Sequence, residues 1–261
     1  MTSSKKNIIL ITGASSGIGQ EFACQTAALF SEKTIDEIWL LGRSREKLQK
    51  TADSLTRKTR ILAMDLTKEG QLDRLEDTLQ EHQAVVRMLI NCAGYGLMGS
   101  FANNDRIGQL GEIRLNCEAL TDITYRMLPY MRPGSRILQM ASSAAFLPQP
   151  DFAVYAASKA YVLSFSRALG EELKKNGIYV TAICPGPVDT PFFEIAEKNG
   201  KTLAIKKYTM VSAGRVVSLA LKDSFLKKPV SVCSLPIKAF YGVSKLLPHQ
   251  LLLDIMRHMK G

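Results

Sequence analysis

The sequence predicts an α/β fold, a single doubly wound domain on a parallel sheet. Short continuous apolar runs recur along the 261 residues, and segments of helical periodicity alternate with them. The first run leads straight into a glycine-rich turn. Composition agrees, since 46% hydrophobic and 22% charged residues supply ample material for a core. The length would allow one large domain or two small ones. Nothing reads as an interdomain linker, so residues 1–261 are taken as one domain, with a core over 7–190 and a lid and C-terminal region over 191–261.

Asn7 to Thr12 (NIILIT) reads as a strand buried on both faces. It runs into Gly13-Ala-Ser15-Ser16-Gly17-Ile18-Gly19 and then a helical pattern, Phe22, Ala23, Thr26, Ala27 and Phe30. Strand, glycine turn and helix form the context in which a backbone can approach a pyrophosphate, with free N–H groups offered at the helix N-terminus. The second strand, Glu37 to Leu41, ends at Gly42-Arg43. An acidic residue at that place would hold a ribose 2′-hydroxyl. Arg43 suits a 2′-phosphate, which favours NADP(H) over NAD(H).

Arg60 to Met64 reads as the third strand, ending at Asp65-Leu66, where the following loop could meet an adenine. A charged amphipathic helix over 68–82 precedes a fourth strand, Val85 to Ile90, which ends in Asn91-Cys92-Ala93-Gly94. Small residues there would let a cofactor lie against the backbone. Residues 105–130 read as helical, with Asn116 among Ile113, Leu115 and Leu120. A mid-helix asparagine in such a setting is usually a satisfied core group.

Gly134 to Met140 reads as the fifth strand and delivers Ala141, Ser142 and Ser143 to the carboxyl edge, where ligands bind in open α/β sheets. The helix over 152–175 carries Tyr155 and Lys159, one turn apart on one face. A fixed ammonium beside a phenol favours the phenolate and makes the tyrosine a usable general acid or base. The sixth strand, Ile178 to Cys184, runs into the stiff turn Pro185-Gly186-Pro187-Val188-Asp189-Thr190. Beyond it, residues 191–209 could form a lid, 210–224 read as helical, and Pro229 to Ser234 as a last strand. In the tail, Leu251, Leu252, Ile255, Met256 and Met259 would share one helical face, for packing on the parent domain or a second subunit in preference to a membrane.

Taken together, TGxxxGxG from Thr12, NxAG from Asn91, Asn116, Ser142, YxxxK from Tyr155 and Pro185-Gly186 fall in the order and at about the intervals of the short-chain dehydrogenase/reductase family, which the chain resembles over residues 7–190 and more loosely to 234. The resemblance implies a Rossmann-like sheet of seven parallel strands, a nicotinamide dinucleotide across its carboxyl edge and a homodimer or homotetramer. Carried onto this chain, it implies that Tyr155 exchanges a proton with a substrate carbonyl or alcohol oxygen and that Ser142 hydrogen-bonds that oxygen. Lys159 would lower the tyrosine pKa and hold the nicotinamide ribose, and Asn116 would position a water in a proton relay. No metal is required. Dinucleotide contacts fall to Gly13, Ser15, Ser16, Gly17, Ile18, Gly19, Arg43, Asp65, Leu66, Asn91, Ala93, Gly94, Tyr155, Lys159, Pro185, Gly186, Val188 and Thr190. The family often has a second asparagine where this chain has Cys92. The interval to Tyr155 favours Ser142 over Ser143.

A complete Ser-Tyr-Lys-Asn set favours an oxidoreductase acting on a hydrophobic ketone, alcohol or 3-oxoacyl substrate over a non-catalytic dinucleotide sensor or scaffold. Five scattered cysteines without Cys/His clustering fit reduced thiols in a cytoplasmic protein. No apolar run suits a signal peptide or a spanning helix. Charges balance over residues 1–197, and the whole +10 excess lies in 198–261. That surplus could be a solvated face, or could meet an anionic partner such as an acyl carrier or coenzyme A through Lys206, Lys207, Lys227 and Lys228. Its aromatic residues are not interleaved with the basic ones in a nucleic-acid-reading pattern.

Overall fold

The structure is a computed structural model that describes residues 5–197 and 210–258. Its centre is a seven-stranded parallel sheet of order β3-β2-β1-β4-β5-β6-β9. The strands are β1 (Lys6–Thr12), β2 (Glu37–Gly42), β3 (Thr59–Ala63), β4 (Ala84–Asn91), β5 (Arg136–Met140), β6 (Tyr179–Ile183) and β9 (Val230–Ser231). Pairing is in step at the carboxyl edge, where Thr12 of β1 lies opposite Leu41 on one side and Asn91 on the other. Every site residue that follows a strand is therefore delivered to one rim.

Alternation along β1 explains why its apolar run is unbroken. Ile9 and Ile11 point to one layer and Ile8 and Leu10 to the other, all fully buried. On the first face lie α1 (Gly17–Leu29), α2 (Arg45–Asp53) and α8 (Ala213–Phe225). On the second lie α3 (Gln71–Glu81), α5 (Leu120–Met127) and α6 (Ala153–Lys174). Before α5 comes α4 (Arg106–Ile113), and a π-helical segment, Arg114–Ala119, joins the two. The single helix expected over 105–130 is thus interrupted at Asn116, with a terminal 3₁₀ turn over Leu128–Tyr130. Such insertions widen one turn and re-aim the side chains on it.

Two further elements were not expected. A two-residue ladder pairs β7 (Val188–Asp189) with β8 (Val211–Ser212), and α7 (Phe192–Ala196) follows the first of these. The last strand of the main sheet is only two residues long, shorter than the run Pro229 to Ser234 suggested. Its neighbours still bond across it: Ala182 N–H reaches the Pro229 carbonyl at 3.0 Å and Cys184 N–H the Ser231 carbonyl at 2.8 Å. The tail forms α9 (Leu235–Leu246) and α10 (His249–His258). Ile237 of α9 joins Phe146, Val162 and Cys184 in a satellite core, with Phe240 and Tyr241 packed against it. In α10 Leu252 is buried and Leu251 exposed, so part of the expected apolar face packs on the parent domain, while Met259 lies outside the described residues. Most of the proposed lid, residues 198–209, also lies outside them. Among the described residues no helix is long and apolar enough to cross a membrane.

Candidate active site

Glycines shape the first part of the rim because there is no room for anything else. A Cβ on Gly13, whose φ is +66°, would lie 2.8 Å from the Ala93 nitrogen, and one on Gly19 would lie 2.2 Å from the Gly13 carbonyl oxygen. Gly17 (φ +55°) faces Thr190 across the groove. Thr12 Oγ1 accepts from both Cys92 N–H and Ala93 N–H at 3.1 Å, which ties the ends of β1 and β4 together. The helix that follows begins at Ser16, in extended conformation and with its hydroxyl not spent on the cap. The first N–H groups of α1 therefore face the rim free of a side-chain cap. Ser15 lies beside Gly42, and Ile18 packs on the core from the rim.

Arg43 stands exposed just past β2, and its charge reaches Asp65 and Tyr95. Burial pushes the Asp65 carboxyl up, but hydrogen bonds from Thr67 and the charges of Arg43 and Lys68 outweigh it and hold the group below its ordinary value. Leu66 packs on the second core layer. Asn91 turns its side chain away from the rim. Its Nδ2 donates to Gln139 Oε1 at 2.9 Å and Thr124 Oγ1 at 3.1 Å, deep in the interior, so it can serve the rim only through its backbone. Gly94 does line the groove: a Cβ there would meet Asn116 Oδ1 at 2.8 Å and Lys159 Nζ at 3.4 Å.

The candidate reacting groups converge at the ends of β4, β5 and α6. Ser142 caps the 3₁₀ turn Ser143–Phe146, its Oγ accepting from Ala144 N–H at 3.1 Å, and its side chain acts on Tyr155 so as to favour the phenolate. Ser143 instead gives its N–H to the Pro185 carbonyl at 2.8 Å, which anchors the Pro185–Gly186 turn to the same corner. Val188 continues from that turn into β7, and Thr190 Oγ1 bonds back to its carbonyl at 3.4 Å. Ser142 is thus the serine within reach of the phenol. An exchange of each for alanine should show this, with turnover falling about a hundredfold or more in Ser142→Ala and staying near wild type in Ser143→Ala. The opposite pattern would assign the role to Ser143.

Burial pushes the Tyr155 phenol up to about 12, with Ser142 opposing and Glu112 reinforcing the rise. Burial likewise pushes the Lys159 ammonium down to about 8. Its Nζ donates to the Met140 carbonyl at 2.7 Å and stands 5.6 Å from the Tyr155 ring centroid. In both groups burial is the largest cause, and it acts against the charged form of each.

Asn116, in the π-helical segment, is fully buried. Its Oδ1 accepts from Tyr95 N–H at 3.1 Å, and its Nδ2 donates to the Tyr95 carbonyl at 2.8 Å and to Ser158 Oγ at 3.0 Å. The side chain thus ties the Tyr95 backbone to Ser158 on α6. Sequence reasoning passed over Gly96, Phe152 and Phe192, which surround the tyrosine, and Tyr95, which ties the adjoining strip to Asn116. Phe152 stacks on its ring with centroids 4.3 Å apart, Phe192 lies at 5.5 Å, and Met98 packs on the same cluster. Their apolar character carried no signal distinct from core packing.

These residues fit a nicotinamide dinucleotide, since a Cβ at Gly13, Gly19 or Gly94 would fill the cradle and the α1 N–H groups face it. Among the described residues no cluster of His, Cys, Asp or Glu is placed to hold a metal. Of the four lysines singled out for an anionic partner, Lys206 and Lys207 lie outside the described residues. Lys228 pairs with the buried Asp223 at 2.8 Å, and Lys227 sits over the Tyr179 ring.

The sequence profile described as short chain dehydrogenase matches residues 7–200. An uncharacterized oxidoreductase of Staphylococcus epidermidis is 29% identical over 196 residues, 74% of this chain and 83% of that one. A very-long-chain 3-oxoacyl-CoA reductase of Phaeosphaeria nodorum is 32% identical over 222 residues, covering 79% of this chain and 62% of the fungal protein. Among solved structures, a short-chain dehydrogenase from Sphingobium yanoikuyae in complex with NADPH superposes with a TM-score of 0.76 at 27% identity, over 95% of this chain and 96% of that one.

Proposed function

The chain belongs to the short-chain dehydrogenase family and is an oxidoreductase, and from that premise we propose that it is an NADP(H)-dependent carbonyl reductase or alcohol dehydrogenase for hydrophobic ketones, alcohols or 3-oxoacyl thioesters. One observation carries this reading: a buried phenol beside Lys159, with Ser142 acting on it, set in a wall of Phe152, Phe192 and Met98. Polar groups at one point of an apolar wall orient a carbonyl while the wall selects its substituents.

When bound, the nicotinamide supplies a hydride for the carbonyl carbon. Tyr155 gives its proton to the carbonyl oxygen, and Ser142 steadies that oxygen as charge develops on it. Lys159, charged below about pH 8, offsets the negative charge left on the tyrosine. In the alcohol-oxidising direction each proton step reverses. The NADPH-bound relative and the 3-oxoacyl-CoA reductase support cofactor and substrate class respectively.

Arg43 carries the preference for NADP(H) within this reading. Arg43→Asp should weaken NADPH binding about a hundredfold and NADH binding less than threefold, because a charge-assisted pair to a phosphate is lost and a repulsion added. Titration of both cofactors by nicotinamide fluorescence would show it, and equal losses would refute the phosphate role. Addition of ketones, steroids and 3-oxoacyl thioesters should then give substrate-dependent NADPH oxidation. Tight binding with no turnover across the panel would favour a dinucleotide sensor instead.

Self-association as a homodimer or homotetramer is supported by exposed apolar side chains on neighbouring helices: Ile107, Leu110 and Ile113 of α4, Tyr125 of α5 and Tyr161 of α6. Thr121 and Tyr161 are hydrogen-bonded at 2.8 Å, which joins the two sides of this face.

A further inference from the structure

Glu112 is a buried acid next to the site that the proposed chemistry leaves unused. It lies on α4 one turn before Asn116, is fully buried, and its two oxygens differ: Oε1 accepts from Leu97 N–H at 3.1 Å, while Oε2 has no hydrogen-bond partner among the described residues. Leaving a carboxyl oxygen buried and unsatisfied is costly, and such groups persist where something offsets the cost.

The loop that Glu112 holds runs directly under the catalytic tyrosine. Gly94, Tyr95, Gly96 and Leu97 form a strip with two kinds of residue in alternation. The glycines give close approach: a Cβ on Gly94 would meet Asn116 Oδ1 at 2.8 Å and Lys159 Nζ at 3.4 Å, and one on Gly96 would lie 2.5 Å from Tyr155 Cδ2 and 2.8 Å from Phe152 Cε2. The two residues between and after them give their N–H groups to the helix side, Tyr95 to Asn116 and Leu97 to Glu112. Residues 112 and 116 thus act as two rungs that press the strip against the ring. Tyr95 adds a third tie, its hydroxyl donating to the Gly108 carbonyl at 2.7 Å.

We propose that Glu112 is a positioning residue for Tyr155: its Oε1 holds the Gly94–Leu97 strip against the phenol ring, and its unpaired Oε2 leaves a titratable charge beside the Tyr155–Lys159 pair. The groups coupled to it electrostatically are Tyr95 on the strip and Tyr155 and Lys159 on α6. Burial pushes the Glu112 carboxyl up to about 7, against the Leu97 hydrogen bond and the Lys159 charge. It therefore changes charge near neutrality. Once ionised it raises the affinity of both Tyr155 and Lys159 for their protons.

The test rests on the proposed reduction for its kinetic arm and is independent of it for its structural arm. Glu112→Gln keeps an oxygen for Leu97 N–H and loses the charge, whereas Glu112→Leu loses both. Amide hydrogen exchange would be followed over residues 94–98 in the full chain, together with NADPH-dependent reduction of a ketone. In Glu112→Leu the Leu97 amide should lose protection, and kcat should fall about tenfold or more with KM for NADPH unchanged. Glu112→Gln should keep both protection and kcat, with its alkaline limb of kcat/KM moved to lower pH by about half a unit or more. The proposal is overturned by unchanged exchange or unchanged kcat in Glu112→Leu, or by a limb that stays in place in Glu112→Gln. If wild type turns over no ketone, the functional reading fails and exchange in Glu112→Leu alone decides the positioning. If Glu112→Leu does not fold, the limb in Glu112→Gln decides.

Discussion

Tyr155→Phe should lower kcat by about a thousandfold, within the range that a positioned general acid contributes, while NADPH affinity changes by less than about threefold. The substitution keeps the ring, and with it the stacking on Phe152 and the contact with Phe192. It removes the hydroxyl and its link to Ser142. Folding and cofactor binding are thereby separated from proton transfer, because the glycine cradle at β1 shares no side chain with the phenol. The pH profile sharpens the comparison. In the free protein Tyr155 keeps its proton up to about pH 12, so its own ionisation does not limit reduction near neutrality. Lys159 loses its charge at about 8, so kcat/KM for reduction should be level below that pH and fall above it. Fluorescence titration with NADPH and single-turnover reduction would separate the two effects. A kcat for Tyr155→Phe near wild type would remove the tyrosine from the mechanism.

Gly19→Ala should produce the second large effect, a loss of at least tenfold in dinucleotide affinity together with a fall of roughly 5–10 °C in Tm. The added methyl group would stand 2.2 Å from the Gly13 carbonyl oxygen, a backbone atom that cannot swing aside. Relief requires β1 and α1 to separate, which spoils the turn that faces the ligand. Gly242 in α9 is the matched control: a Cβ there meets nothing within 4 Å, and its helical setting favours alanine by about 0.5–1 kcal/mol. Gly242→Ala should leave binding unchanged and raise Tm slightly. Thermal denaturation followed by circular dichroism, with and without NADPH, would read all of this. Equal behaviour of the two variants would show that packing at the turn is not what the glycine provides.

The parts of the fold that were legible in the sequence are those where burial on two faces writes an unbroken apolar run. β1, β2 and β4 are such runs, and each lies within about one residue of its expected bounds. The glycine turn was legible because steric exclusion leaves only one residue type. Other features have no local signature. The β7–β8 ladder is two residues per strand and depends on the distant segment at 211. The π-helical turn at 114–119 keeps an ordinary helical composition. Spacing put Lys159 beside Tyr155, but it says nothing of the burial that acts on both groups. Glu112 reads in sequence as a surface acid on an amphipathic helix. The one clue was its place one turn from Asn116, on the same face.

The two-residue strand β9 sets a condition on how the chain can be synthesised. β6 forms from residues 179–183, yet the backbone groups that satisfy Ala182 and Cys184 come from Pro229 and Ser231, and Thr181 Oγ1 gives its proton to the Lys228 carbonyl at 2.8 Å. A growing chain therefore carries β6 as an open edge, rich in apolar side chains, while some fifty further residues are made. Unpaired edges of that kind are where nascent proteins pair with the wrong neighbour. Closure by so short a strand makes the final residues of the sheet a checkpoint: a transcript or protease that ends the chain before residue 229 leaves a sheet able to form and a seam open to aggregation.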